Sequence, residues 1–356
     1  MATDKFNFQI IENKTKVLPV LKEAKISGKK WMSYGDKNDF PNYLFDLYLR
    51  STVLQSVIEG IIDYTAGAGV KSLTINDEIN ADGETLEDLI KQILVDYLVT
   101  GGFAINVLRD AENRVSELYW VDMRHVRLSE DGQIAYYSDN INGWGVKPEE
   151  IPIFNPDKKQ KNSLFYYKGH ISRGLYPIPR WSGAIMAVET STEISKYHLS
   201  AILNNFSPSA IISFNNGVPD KATQEEIEKK INKKFVGSEN VNRFILSFAD
   251  NGENATTIQT LGSDNADQKF GTLKDSIFEE IFIAFRATPE LFGMKKDGNG
   301  FNKTEYIESF DLFNKTMIQP LQKDIVRCFD KIYGFKDSIT FNEYRVYENK
   351  IVETDE

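Results

Sequence analysis

Two long helical patterns, separated by one compact segment, constrain the fold of this chain more than any other feature. Residues 182–206 place apolar and small side chains at helical spacing, and a second helical stripe runs over residues 266–287. The first pattern covers about two dozen residues, or roughly 36 Å of helix. Because both helices border the segment 209–261, the ends of that segment should lie close together, and we expect it to form a separable lobe.

The segment 209–261 itself predicts a small α/β unit. The strand-like SAIISF is followed by the turn NNGVP, the charged helix KATQEEIEKKINKKF, and the strand-like runs NRFILSF and TTIQTL. Acidic residues come early in the predicted helix and basic residues late, which suits the helix dipole. This order favours a solvated amphipathic helix over a nucleic-acid-binding one.

The first 180 residues predict a mixed α+β region. A helical pattern runs from Leu44 to Ile62 and ends at Gly67 and Gly69, and a second covers residues 86–98. After Gly101-Gly102 the pattern changes to period two, and FAINVLRDAENRVSELYWVDMRHVRLSEDGQIAYYS reads as strands joined by polar turns.

The second long helix runs into a proline and a glycine-rich loop. AFRATPELFG stops at Pro289 and leads into MKKDGNGFNK, after which a third helical pattern covers residues 304–333. Pro320 lies inside this pattern, so we expect a kink there. The tail DSITFNEYRVYENKIVETDE predicts a strand and an acidic end.

Composition and motif searches exclude several function classes. The chain has 42 basic and 52 acidic residues, a net charge of −10, so it lacks the basic balance of a soluble DNA clamp. The single cysteine, Cys328, fits a buried apolar position. The sequence predicts neither a signal peptide nor a membrane span. It contains no phosphate-binding loop and no dinucleotide fingerprint.

Metal and cofactor sites are not predicted either. An EF-hand count from Asp297 places Phe301 and Asn302 where an oxygen ligand and a glycine are needed. The three histidines, His125, His170 and His198, show no metal-binding spacing. A catalytic triad assembled in space stays open on sequence alone. The functional interpretation therefore depends on architecture.

Seven segments and their order resemble portal proteins of tailed bacteriophages, of the HK97-like class. The segments are WMSYGDKNDFPNYL, Gly101-Gly102 with the strands after it, YPIPRWSGA, FSPSAIISFNNGVP, FVGSENVNRFILS, DQKFGTLKDSIFEEIFIAFRATPELFG and KTMIQPLQKDI. The chain departs from the family pattern at Pro177, where glycine is usual, and at Ala287-Thr288-Pro289, where the family usually has two prolines or Val-Pro-Pro. The resemblance covers nearly the whole chain.

The resemblance implies an α+β portal-type fold with an α/β wing, two long stem helices flanking a small α/β clip, and a kinked C-terminal helix. The implied domains are a wing (1–180), a first stem helix (181–207), a clip (208–262), a second stem helix (263–288), a tunnel loop (289–303), a kinked helix returning to the wing (304–335) and a short crown or tail (336–356).

The implied function is that of a head–tail connector. About twelve copies would form a ring at one capsid vertex, around a channel for double-stranded DNA that passes without sequence specificity during packaging and ejection. The implied partners are the major capsid protein, the terminase large subunit and head–tail adaptor proteins. No enzyme activity, cofactor, metal or membrane is implied, and the location is the virion, after assembly in the host cytoplasm.

The resemblance also assigns candidate site residues. Residues 293–303 would point at DNA, with glycines for mobility and polar or basic side chains for phosphate contact. The DNA-facing candidates are Lys295, Lys296, Asn299, Asn302 and Lys303, and the clip candidates for partner docking are Asn215, Asn216, Lys229, Lys230, Lys233 and Lys234. A mostly acidic channel wall would limit the grip on a sliding duplex.

Three alternatives remain at this point. The chain could be a structural or adaptor protein without a DNA channel, or an enzyme whose site is assembled in space. Within the portal interpretation, the loop lysines could be ordinary solvated residues on the outer surface. A ring with a central hole separates the portal from the first two.

Overall fold

The computed structural model describes residues 19–72, 78–203, 210–214, 220–223, 225–226, 244–248, 257–260, 266–294 and 303–344. The chain divides into two compact units. The first comprises Met1–Asp46, Val70–Pro179 and Val326–Thr340. The second comprises Leu47–Gly69, Arg180–Ile325 and Phe341–Glu356.

Helices and strands are both abundant in the described part. The described helices are α1 (Phe40–Arg50), α2 (Thr52–Ala66), α3 (Leu86–Thr100), α4 (Ile185–Leu203), α5 (Ala266–Ala284), α6 (Lys303–Phe313) and α7 (Gln319–Tyr333). The described strands are β1 (Val70–Lys71), β2 (Gly102–Arg109), β3 (Val115–Val121), β4 (Val126–Leu128), β5 (Ile134–Tyr137), β6 (Glu149–Pro152), β7 (Asn162–Lys168), β8 (Ala210–Phe214), β9 (Phe244–Phe248), β10 (Thr257–Thr260) and β11 (Thr340–Phe341).

The single helix predicted over residues 44–62 is two helices. The chain leaves α1 at Ser51, whose backbone is extended, and α2 begins at the next residue. The Ser51 hydroxyl accepts a hydrogen bond from the Leu54 amide at 3.3 Å and so caps α2. Apolar spacing continues across the break, which is why periodicity alone missed it.

Two antiparallel sheets form much of the first unit. One has the strand order β3-β2-β7, with α3 packed against it, and the other has the order β4-β5-β6. The connection from α3 into β2 depends on Gly101, whose φ is +90°. A Cβ there would lie 2.1 Å from the Ile178 carbonyl oxygen, so only glycine fits this turn.

A buried polar network links three distant segments of the first unit. The Tyr34 and Tyr176 rings stack with centroids 4.3 Å apart, and the Tyr34 hydroxyl donates to the Pro177 carbonyl at 2.8 Å. Arg127 is fully buried beneath them. Its guanidinium donates to the backbone carbonyls of Asn38 (2.6 Å), Val126 (2.8 Å) and Arg124 (2.9 Å). The segments WMSYGDKNDFPNYL and YPIPRW therefore meet on β4.

The second unit contains the two long helices and a small sheet. Helices α4 and α5 pack against each other. The sheet has the strand order β10-β8-β9, in which β8 pairs with β10 in antiparallel and with β9 in parallel orientation. A parallel pair needs a crossover connection, and residues 221–223 and 225–226 between β8 and β9 are helical.

Candidate functional site

Helix α5 ends in a tight backbone reversal at Arg286. Arg286 adopts the left-handed conformation, with φ of +54°. Its amide donates to the Ile283 carbonyl at 3.0 Å, and the Ala287 amide donates to the Phe282 carbonyl at 3.0 Å. These two bonds define a Schellman motif, in which the position of Arg286 is most often occupied by glycine.

A second reversal follows within a few residues. Pro289 begins a short 3₁₀ turn, Pro289–Phe292, that ends at Gly293 with φ of +75°. The Met294 amide donates to the Pro289 carbonyl at 3.1 Å, and the Gly293 amide donates to the Glu290 carbonyl at 3.2 Å. The proline fixes φ at the start of this turn, and glycine accepts the left-handed conformation at its end.

An aromatic cluster anchors the turn to α2. The Tyr64 hydroxyl donates a hydrogen bond to the Leu291 carbonyl. The Tyr64 ring meets the Phe292 ring edge-on, with centroids 6.1 Å apart. Phe292 also packs against Gly60, where an added Cβ would lie 2.5 Å from its Cε1 atom. Gly60 therefore makes room on α2 for the aromatic ring of Phe292, the last residue of the 3₁₀ turn.

The far end of the loop returns to the same cluster. The rings of Phe310 and Phe313 on α6 lie 5.6 Å and 6.0 Å from the Tyr64 ring. The hydroxyls of Tyr64 and Tyr306 are 3.2 Å apart. Burial raises the pKa of Tyr64 above its ordinary value, so the hydroxyl stays a neutral donor. Chain segments before and after residues 295–302 thus share one anchor, which we call the Tyr64 cluster (Gly60, Tyr64, Phe292, Phe310 and Phe313).

The helix after the loop is irregular just before Pro320. Helix α6 continues into a π-helical turn, Asn314–Ile318, and α7 starts at Gln319. Proline has no amide hydrogen for the usual bond to the fourth residue before it, and a π turn absorbs the resulting misfit. This irregularity lies where the sequence predicts the kink.

Most of the site residues predicted from the sequence lie outside the described residues. That group contains Lys295, Lys296, Asn299, Asn302, Asn215, Asn216, Lys229, Lys230, Lys233 and Lys234. Lys303 is described and exposed, as the first residue of α6. Pro289 begins the 3₁₀ turn, and Pro320 is the second residue of α7.

Sequence reasoning missed the anchor and the backbone reversal. Gly60 lies inside a helical pattern, and a glycine there signals a close approach of another group. The conformation of Arg286 has no local sequence signal, because the pattern reads as continuous helix up to Ala287. Among the described residues, no group of three or more His, Cys, Asp or Glu side chains is placed to hold a metal ion. No described helix is long and apolar enough to cross a membrane.

Solved structures define the class of fold. A chain from the virion of a native gene transfer agent particle matches with a TM-score of 0.58, 17% identity, and 92% of this chain and 87% of that one covered. An HK97 family phage portal protein from Corynebacterium diphtheriae matches with a TM-score of 0.53, 13% identity, and 84% and 94% covered. The chain has the mixed α+β fold of portal proteins, as the resemblance predicted.

Family membership follows from the sequence itself. The family model described as phage portal protein matches residues 74–352, more than three quarters of the chain. The chain belongs to the phage portal protein family.

Two curated relatives are also similar. An uncharacterized protein from Rickettsia bellii (strain RML369-C) is 22% identical over 262 residues, covering 72% of this chain and 64% of the relative. The uncharacterized protein YqbA from Bacillus subtilis (strain 168) is 22% identical over 304 residues, covering 70% and 58%. The matched part of this chain thus spans about 60% of the length of these relatives.

Proposed function

We propose that this protein is the subunit of a ring that surrounds double-stranded DNA at one vertex of a phage capsid. The main support for this proposal is the way in which the loop between α5 and α6 is anchored. In a chain of the portal family, this loop follows a long helix, and the residues on both sides of it are fixed on the Tyr64 cluster. A loop held at both ends on a rigid base can meet a passing duplex without deforming the helices behind it.

Exposed apolar side chains on the helices of the second unit support assembly into a ring. Ile283 on α5 is 72% exposed, Leu312 on α6 is 64% exposed and Met186 on α4 is 62% exposed. Leu199 and Tyr197 on α4 are also largely exposed. We infer that another copy of the chain covers these side chains, because burial of apolar area in a contact is favourable. A solved relative of the same fold lies in the neck of a native GTA particle computed with C12 symmetry, so we propose that copies of this chain cover these residues in a ring of about twelve.

The charge of the chain supports a channel that lets DNA slide. Asp275, Glu279 and Glu280 are exposed on α5 together with the basic Lys274, and the whole chain carries a net charge of −10. A continuous basic wall would displace the counterions of DNA and hold the strand tightly. We propose that Lys295, Lys296 and Lys303, with Asn299 and Asn302, form narrow polar belts on an otherwise acidic wall.

The remaining assignments follow from the family and are part of the same proposal. The domain boundaries are those of the wing, stem, clip, tunnel loop and tail given above, with the clip residues Asn215, Asn216, Lys229, Lys230, Lys233 and Lys234 contacting the terminase large subunit or head–tail adaptors. The ring contacts the major capsid protein, is assembled in the host cytoplasm and remains in the virion. Its role is structural, and the packaging ATPase is a separate chain.

Ring formation and DNA contact are tested separately. Native mass spectrometry and negative-stain images of the purified full chain should show a ring with a central hole. A monomer or dimer would favour an adaptor without a channel or an enzyme, and ATP hydrolysis that a point mutation in the chain abolishes would favour the enzyme. In the assembled particle, Lys295→Ala combined with Lys296→Ala should leave the ring intact and change DNA retention. Unchanged retention would place these lysines on the outer surface.

A further inference from the structure

Arg286 occupies a backbone position that suits glycine better than arginine. Its φ of +54° lies in the left-handed region, where a Cβ crowds the backbone. The residues on both sides, Phe285 and Ala287, are buried, so the backbone conformation is fixed by packing. Residues held in such a conformation are enriched at functional sites. An arginine at this position therefore calls for an explanation beyond the local fold.

The Arg286 side chain does not serve the end of α5. The carbonyls of Phe282 and Ile283 already accept hydrogen bonds from the backbone amides of Ala287 and Arg286. The side chain is exposed, and among the described residues none forms a hydrogen bond or ion pair with it. Its one local contribution is a positive charge near the C-terminal end of the helix dipole.

The position of Arg286 makes it a fixed cation beside the loop. It lies between α5 and the 3₁₀ turn, and that turn is tied to Tyr64 through the Leu291 carbonyl. The exposed charges on the preceding turns of α5 include Lys274 and the carboxylates of Asp275, Glu279 and Glu280. A guanidinium binds phosphate through two parallel hydrogen bonds, and it stays charged at all physiological pH values.

We propose that Arg286 contacts the phosphate backbone of DNA in the assembled ring, as a cationic position additional to the loop lysines. This inference rests on the proposed channel function and deepens it. In a ring, one Arg286 per copy forms a belt of cations on a fixed backbone at the base of the loops. The carboxylates that α5 exposes limit the attraction of the belt, so that it guides the duplex without holding it.

Four variants of the full chain separate charge from backbone conformation. Arg286→Lys keeps the charge, Arg286→Gln removes the charge and keeps the backbone strain, and Arg286→Gly removes both. The fourth, Lys295→Ala with Lys296→Ala, tests the loop lysines alone. For each assembled ring, the affinity for a blunt 60-bp DNA duplex is measured over a series of salt concentrations, together with the midpoint of thermal unfolding.

We expect Arg286→Gln and Arg286→Gly to weaken binding and Arg286→Lys to keep most of it. Each lost phosphate contact reduces the slope of log affinity against log salt by about 0.9 and the affinity at 0.15 M salt by roughly fivefold. Arg286→Gly should leave the unfolding midpoint within about 2 °C, because relief of the left-handed strain offsets the lost helix-dipole contact.

Three outcomes would overturn the inference. If Arg286→Gln binds DNA with the wild-type slope while the double lysine variant does not, the channel function stands and Arg286 is not a contact. If Arg286→Gln prevents ring assembly, the side chain pairs with another copy of the chain. If rings of the wild-type chain form but bind no duplex under any salt condition, the proposed channel function fails as well.

Discussion

The two units hold their buried tyrosines in opposite ways. In the first unit, Tyr34 lies in a polar network with Tyr176 and the fully buried Arg127, which donates to three backbone carbonyls. In the second unit, Tyr64 lies among phenylalanine rings, donates a hydrogen bond to the Leu291 carbonyl, and has its hydroxyl 3.2 Å from the Tyr306 hydroxyl. One tyrosine joins distant backbone segments, and the other supports the residues on both sides of a loop.

This difference indicates two structural roles. A buried polar network has a single satisfied arrangement, because each unpaired group would be costly. An aromatic cluster gains most of its stability from area and tolerates small shifts of its rings. The first arrangement suits a rigid scaffold, and the second suits the base of a loop.

The largest predicted effect is that of Arg127→Ala. The substitution removes the buried donor of the Arg124 and Val126 carbonyls and one of the two donors of the Asn38 carbonyl, so the free energy of unfolding should fall by about 3 kcal/mol. Urea unfolding of the variant measures it. The control is Arg114→Ala. The Arg114 side chain is 74% exposed, so its removal should lower the free energy of unfolding by less than about 1 kcal/mol. Equal losses in the two variants would show that the network does not stabilise the first unit.

Phe292→Ala should have the next largest effect. The ring is half-buried, so its removal should cost about 2–3 kcal/mol, less than for a fully buried phenylalanine. The amides of Gly293 and Met294 should also exchange with solvent faster, because the turn loses its anchor. Phe335→Ala, at a ring that is 43% exposed, is the control. Unchanged amide exchange in Phe292→Ala would contradict the anchoring role.

Gly60→Ala tests the same contact from the opposite side. The new methyl group would lie 2.5 Å from Phe292 Cε1, and the ring must move, at a cost of about 1–3 kcal/mol. In the Phe292→Ala background the methyl group has space, and Gly60→Ala should then be neutral or slightly stabilising. The double-mutant cycle measures this coupling. Additive effects would mean that the two residues do not touch.

Part of this comparison could be predicted from the sequence. Helix α3, strands β2 and β3 and the end of α5 near Pro289 follow from apolar spacing and from glycine and proline signals. The burial of Arg127 does not, because its acceptors come partly from Asn38, which is distant in sequence. The contact of Gly60 with Phe292 depends on a tertiary approach as well. The loop lysines were selected by family resemblance and stay a prediction.

The last predicted effect concerns the pH dependence of the first unit. Asp96 is fully buried and accepts a hydrogen bond from Trp120 Nε1 at 2.8 Å. Burial, followed by the charge of Asp122, raises the pKa of Asp96. The protonated carboxyl is favoured in the folded state, so its contribution to stability is fully present at pH values below the unfolded-state pKa, near about 3.9. This contribution is lost as pH rises through the folded-state pKa.

Asp96→Asn should therefore flatten the decline of the unfolding free energy as pH rises above about 4. Asp110→Asn is a control, because the contribution of Asp110 to stability changes with pH in the opposite direction. The Arg114 amide, which donates to the Asp110 carboxylate at 2.8 Å, lowers the pKa of Asp110. That contribution is present above the unfolded-state pKa and is lost as pH falls. Urea titrations at several pH values measure both slopes, and identical profiles for wild type and Asp96→Asn would refute the assignment.

The radial position of the loop in the assembled ring tests the central claim most directly. A cryo-EM reconstruction of the purified full chain, or of the particle that contains it, gives the distance of each residue from the ring axis. We expect a ring of about twelve copies in which Arg286 and residues 295–303 lie closer to the axis than the body of α5. A ring whose loops lie farther from the axis than α5, or a particle without a central channel, would contradict it.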